Sequence, residues 1–191
     1  MRVALVCPYD MGKHGGVQDQ VRRLSRWVRG AGHEVVLVAP GQSDEPGFVG
    51  VGPATVVPAN GAETPVALSP RVVQRVVDAL SDADVAHVHE PLMPQVSLAA
   101  LRKAPVPLVG TFHADVSTLA AGVYRFAKPL ISKWFGRLDV ITAVSPVAAR
   151  VVADTGRVRI IPNGIDIDEY TAGAKVPGSV AFLGRDDERK G

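Results

Sequence analysis

Cysteine is almost missing from this chain: Cys7 is the one thiol in 191 residues. An internal disulfide is excluded, and a reducing, cytoplasmic setting is the expected one. Excess charge is equally scarce. Lys and Arg total 21 against 19 Asp and Glu, a net +2, and the cations are scattered rather than striped, which removes the case for nucleic acid. No apolar run reaches the roughly 18 to 20 residues that span a bilayer. The opening "MRVALVCP" offers only about five apolar residues before a proline, too few for a signal peptide, and reads as a first strand. Attachment to the face of a membrane stays open. What is present is an ordinary soluble composition, 47% hydrophobic, on a chain long enough for one well-buried domain and too short for two full ones.

Short β-branched runs alternate with helical patterns. Val3 to Val6 is a continuous apolar run, as in a parallel strand covered on both faces. From Gly16, the residues Val17, Val21, Leu24 and Val28 recur at helical spacing until Gly30 and Gly32 stop the helix. "EVVLVAP" is a second strand. Residues 41–68 are rich in Gly and Pro and read as an irregular excursion with one weak strand. "SPRVVQRVVDAL" is a helix, with Ser69 as N-cap and Pro70 at its first position. Then come a strand in "DVAHVHEP", a helix over 95–102, a strand in "PLVGTFH", and a helical region over 116–136 that Pro129 should kink or divide. "DVITAVS" is a strand, "PVAARVVADTG" a helix and "VRIIP" a strand. Such alternation implies a doubly wound parallel sheet with helices on both faces, a Rossmann-like α/β fold. Ser179 to Leu183 resembles a buried strand with nothing to pair with, and one strand is not a domain. The expected division is a first domain over 1–170, a linker over 171–178, and the first strand and loop of a second domain over 179–191.

In open parallel sheets, ligands bind beyond the carboxyl ends of the strands. The polar residues there are Tyr9, Asp10 and Gly15-Gly16, then His89 and Glu90, His113 and Asp115, Ser145, and Asn163-Gly164. A glycine pair before a helix lets an oxygen approach the backbone, and the free N–H groups of the first turn attract a phosphate. The plainer alternative is a flexible loop leading into a helix. Two phosphate loops are set aside: Gly12-Lys13 is followed by His14 rather than Ser or Thr, and "GKHGG" with a second strand ending "VAPG" lacks both the glycine spacing and the carboxylate of a dinucleotide site. His113 leaves a strand where it can present an imidazole to a cleft, although a lone histidine satisfied by a backbone carbonyl competes with that reading. His87 and His89 are taken to face opposite ways, His87 as structural and His89, with Glu90, as orienting loops at the cleft. No close-spaced ligand pair supports a metal at His89, Glu90 and His113, so none is expected. Arg185 and Lys190 suit a diphosphate, one as a planar fork and the other as a point charge; with Asp186, Asp187 and Glu188 between them, a solvated charged loop is the alternative.

Together "GGVQDQVRRLSRWVRGAGHEVVLVAP", "DVAHVHEP", "GTFH", "TAVS", "IIPNGID" and "FLGRDDERKG" resemble the family-4 retaining glycosyltransferases of the GT-B fold, in which two Rossmann-like domains face each other across a cleft. The "CPY" opening, the "GGVQ" loop and Asn60-Gly61 are most similar to the actinobacterial phosphatidylinositol mannosyltransferases. The resemblance implies an acceptor-side amino-terminal domain followed by the start of a donor-binding domain. It implies that Gly15 and Gly16 lie against the donor diphosphate, that Arg185 and Lys190 bind it, and that Tyr9, Gln18 and Asn60 line the acceptor pocket. His113 would sit at the reaction centre. The donor would be a sugar nucleotide, GDP-mannose first among them, and the acceptor a phosphatidylinositol-like lipid, with peripheral contact at the inner face of the plasma membrane. No cofactor or metal is implied, since Arg and Lys stabilise the leaving diphosphate. The family's E-x7-E motif belongs to the second domain, so this chain alone is expected to be inactive. The alternatives are a family-4 enzyme with another sugar nucleotide and a soluble acceptor, or a non-catalytic nucleotide or sugar-phosphate binding domain.

Overall fold

Apolar runs of four to six residues become strands because both faces of a parallel sheet are covered, and the 3.6-residue stripes become the helices that cover them. The computed structural model describes residues 1–59, 62–66, 71–114, 129–171, 173–174 and 176–180, with backbone alone at 56–59 and 62–66. The elements in order are β1 (Arg2–Val6), α1 (Gly16–Gly30), β2 (Glu34–Ala39), β3 (Phe48–Gly50), β4 (Thr55–Ala59), β5 (Ala62–Val66), α2 (Arg71–Leu80), β6 (Val85–His89), α3 (Val96–Lys103), β7 (Leu108–Phe112), β8 (Val140–Ala143) and β9 (Val158–Ile160). Seven strands form one parallel sheet in the order β3-β2-β1-β6-β7-β8-β9. The chain winds outward from β1 in one direction, then returns to β6 and winds in the other. This is the doubly wound Rossmann-like fold, and its switch point lies between β1 and β6.

Two apolar clusters sit on opposite faces. On one, Ala4, Val6, Val36, Val38, Ala86 and Val88 pack with Val72, Val76 and Leu80 of α2 and with Val96, Ala100 and Leu101 of α3. On the other, Leu5, Cys7, Val35, Leu37 and Ala39 pack with Val21 and Val28 of α1.

Three expectations change. Residues 41–68 hold three strands rather than one: β3 adds in parallel to the edge of the sheet through Leu37↔Phe48, and β4 and β5 form a separate antiparallel ribbon. Pro58 and Pro65 lie within that ribbon, which tolerates them because each of its strands is an edge strand; read along the sequence, the same prolines suggest a loop. Residues Ala148–Thr155 wind as a 3-10 helix instead of an α-helix, and the β-branched Val151, Val152 and Thr155 weaken the α preference there. Of the region 116–136, residues 129–135 are helical with Pro129 at the start of the described part; the rest lies outside the described residues. Ser69 and Pro70 also lie outside, as do 181–183 of the expected last strand, while Ser179 and Val180 have no regular structure.

Candidate functional site

The loop after β1 is built by its own polar groups. Asp10 Oδ1 accepts from the N–H of Gly12 at 2.8 Å, closing a tight turn. Arg22, nearly two turns into α1, donates to the carbonyls of Met11 and Lys13 and pairs with Asp19 at 2.9 Å. Gln18 is buried, and its Nε2 donates to the Asp10 carbonyl at 3.4 Å. The loop is therefore tied to α1 before any ligand arrives.

Gly15 and Gly16 differ in this setting. A Cβ on Gly15 would stand 2.4 Å from Gln18 Oε1, so a side chain there would displace the end of the Gln18 side chain. A Cβ on Gly16 would meet nothing within 4 Å, which leaves the first turn of α1 open to an approaching group. Tyr9 is half-buried and packs on the cluster beneath α1. Behind the loop, Gly41 has φ +82, and a Cβ there would lie 1.8 Å from Asp10 Oδ1; the approach of the two loops depends on that glycine.

Across the switch point, the sheet face that carries Leu5 and Cys7 turns polar. Register pairs Leu5 with His87 and His87 with Val109, then His89 with Thr111 and Thr111 with Thr142, so these side chains share one face. This corrects the expectation that His87 and His89 point opposite ways: residues two apart on a strand face the same side. Their rings stack with centroids 4.4 Å apart. His87 Nε2 meets Thr111 Oγ1 at 2.6 Å, and Thr111 Oγ1 meets Thr142 Oγ1 at 2.6 Å. His89 Nδ1 meets His113 Nε2 at 2.8 Å, their rings stacked at 5.1 Å.

Glu90 anchors the turn that carries His113. Its backbone, at φ +47, lies in the left-handed region, a strained state for a non-glycine residue. Its N–H donates to the Thr111 carbonyl, and its Oε1 accepts from the N–H of His113, both at 2.8 Å. Burial raises the Glu90 carboxyl to about 7, although the backbone N–H groups of His113 and Ala114 pull it down. Burial lowers His87 and His113 to about 4 and holds His89 well below the usual imidazole range, so all three rings are neutral at pH 7. Burial also pushes the Cys7 thiol up to about 12, which makes it a core residue and not a nucleophile.

Sequence reasoning placed His89, Glu90 and His113 at the strand ends, and the structure brings these three together. It missed Thr111 and Thr142, for which "GTFH" held a signal, since Thr111 lies two residues before His113 on the same face. Asn60, Arg185 and Lys190 lie outside the described residues. Asn163 and Gly164 are exposed in the segment after β9, whose Glu169 returns to pair with Arg23 and Arg26 of α1 at 3.0 and 3.1 Å. Among the described residues, no group of three His, Cys, Asp or Glu side chains is arranged to hold a metal ion, and no helix is long and apolar enough to cross a membrane.

A parallel sheet that reverses its winding between β1 and β6, with a glycine loop and a buried polar row beside that point, defines a Rossmann-like domain. The sequence pattern of Glycosyltransferase Family 4 matches residues 14–169, and the chain belongs to that family. It is 36% identical over its whole length to the phosphatidyl-myo-inositol mannosyltransferases of Propionibacterium freudenreichii and Mycobacterium tuberculosis, covering 55% and 54% of them. The corresponding protein of Mycobacterium leprae is 37% identical, again with 54% covered. The chain thus spans about half the length of the curated relatives it matches. Among solved structures, Anabaena Alr3699/HepE in complex with UDP-glucose superposes with a TM-score of 0.61 over 91% of this chain and 46% of that one, at 16% identity. An alpha-glucosyltransferase in complex with UDP and a 13-mer DNA gives 0.57 over 88% and 44%, at 15% identity. Both likenesses concern the fold.

Proposed function

We propose that the protein to which this chain belongs transfers mannose from GDP-mannose to a phosphatidylinositol-like acceptor, with retention at the anomeric carbon. The observation that carries this reading is the 36% identity, over the entire chain, to phosphatidyl-myo-inositol mannosyltransferases. The geometry agrees with it. The open first turn at Gly16 and the buried histidine row flank the switch point, where a sheet of this kind receives its ligand.

In this proposal residues 1–170 form the acceptor-side domain, 171–178 the linker, and 179–191 the beginning of a donor-binding domain. Gly15 and Gly16 face the donor diphosphate, with Arg185 and Lys190 supplying positive charge. Tyr9, Gln18 and Asn60 line the acceptor pocket, and His113 contacts the transferred sugar. The acceptor hydroxyl oxygen bonds to the anomeric carbon as the bond to the diphosphate oxygen breaks. The hydroxyl proton passes to that leaving oxygen, and the cations stabilise the charge that develops there. The second domain completes the site, so the 191-residue chain is inactive alone.

A soluble acceptor is the second reading, and α2 favours it: the exposed face of that helix carries Arg71, Gln74, Arg75 and Asp78, a weak attraction for an anionic bilayer. The test is product formation by the full-length protein from GDP-mannose, UDP-glucose or UDP-N-acetylglucosamine, with phosphatidylinositol vesicles or free inositol phosphate as acceptor. Mannosylated lipid from GDP-mannose alone is the expected result. Transfer only from a UDP-sugar, or only to the soluble acceptor, would overturn the corresponding half of the proposal.

A further inference from the structure

His113 can reach a ligand through one ring nitrogen only, because Nε2 is already held by His89 Nδ1 at 2.8 Å. Both rings are neutral, so a single proton occupies that hydrogen bond, and it can be placed in two ways. If His113 donates from Nε2, then His89 carries its only proton there too: its Nε2–H becomes a buried donor with no partner among the described residues, on a side chain 1% exposed. If His89 donates from Nδ1, its Nε2 is a bare acceptor, and His113 must carry its proton on Nδ1. Either placement leaves one N–H without a partner among the described residues, on His89 Nε2 in the first and on His113 Nδ1 in the second. His89 is sealed at 1% exposure whereas His113 is only half-buried, so the second, whose N–H lies on the ring nearer the surface, is favoured.

The surroundings hold His89 for this task. Its carbonyl accepts from the Ser97 hydroxyl at 2.7 Å, and its ring lies against His87, which is itself fixed by Thr111. His113 is secured at a second point, its backbone N–H on Glu90. His113 Nδ1 is left without a partner among the described residues.

We propose that His89 is a positioning residue that sets the tautomer of His113, so that His113 offers Nδ1–H as a hydrogen-bond donor to an oxygen of the transferred sugar. The sugar contact rests on the functional reading above; the tautomer does not. Nitrogen NMR of the histidine-labelled chain, which has five imidazoles, reads it directly. The expected spectrum at pH 7 shows His89 and His113 both protonated at Nδ1. In His89→Phe, His113 should lose that preference and shift toward protonation at Nε2. His89→Asn, whose amide can donate from the place of Nδ1, should retain it and provides the test if the Phe variant does not fold.

In the full-length protein, His89→Phe is expected to lower kcat by about 10- to 100-fold with little change in the donor KM, and His89→Asn to restore most of it. His113 protonated at Nε2 in the unaltered chain would overturn the proposal whatever the activity. The predicted tautomer together with undiminished transfer by His113→Ala would overturn the placement of His113 at the reaction centre, and with it the sugar contact, while the tautomer stands.

Discussion

One face of the sheet has two unlike halves. Along β1 and β2 it presents Leu5, Cys7, Leu37 and Ala39 to α1, all of them fully buried and apolar. Along β6, β7 and β8, in continuous register, it presents His87, His89, Thr111 and Thr142, of which His89, Thr111 and Thr142 are also buried. Strand geometry and twist impose nothing of this kind. A buried aliphatic row stabilises by removing apolar area from water, whereas a buried imidazole row must find hydrogen bonds merely to offset desolvation. Two ring nitrogens, His89 Nε2 and His113 Nδ1, find none among the described residues. A fold selected only to be stable would extend the aliphatic row. The polar half lies across the switch point from the glycine loop, the place where open parallel sheets generally receive ligands, and the proposed sugar transfer would give it a use.

The contrast can be broken first with acid. His87 and His113 titrate near 4 in the folded protein and His89 well below the usual range, so the unfolded chain binds more protons than the folded one as pH falls below 6.5. Stability should therefore drop on acidification toward pH 4.5. Glu90 opposes this: its raised pKa adds stability at low pH that is lost as pH rises toward about 7, which cancels roughly one histidine. A net loss on the order of 4 kcal/mol between pH 6.5 and 4.5 is expected from urea melts. His87→Leu should flatten the profile; an unchanged profile would show that these rings do not titrate as buried groups.

The apolar half should behave otherwise. Leu5→Ala should cost about 3 kcal/mol through lost burial and a residual cavity, by nearly the same amount at pH 5 and pH 7. Thr142→Val sharpens the polar half. It removes a hydroxyl from the chain that links Thr111, His87 and the Gly110 carbonyl, and should cost about 1 kcal/mol in the same melts. Arg26→Ala, outside both halves, breaks an exposed pair with Glu169 and should change stability by less than about 0.5 kcal/mol.

The apolar half was legible from sequence because alternation of strand and helix periods is a strong local signal. Val3–Val6, "EVVLVAP" and the stripe of α1 each declare their partners. The doubly wound sheet follows from their order, and with it the strand ends as the place where a candidate site is sought. What stayed hidden depends on pairing between distant residues. Nothing local joins His89 to His113 or Thr111 to Thr142; parallel register does, and register is set by the whole sheet. The ribbon β4–β5 stayed hidden for a different reason: its prolines carry the signature of a loop and are tolerated only because the pair stands apart from the main sheet.

The proposed role of the polar half of this face is sugar transfer. It is tested most directly by the initial rate of mannose transfer from GDP-mannose to phosphatidylinositol vesicles, measured on the full-length protein and on its His113→Ala variant. The expected result is a loss of about 100-fold or more, with cooperative unfolding retained. A variant that folds and transfers mannose within about threefold of the unaltered rate would contradict it.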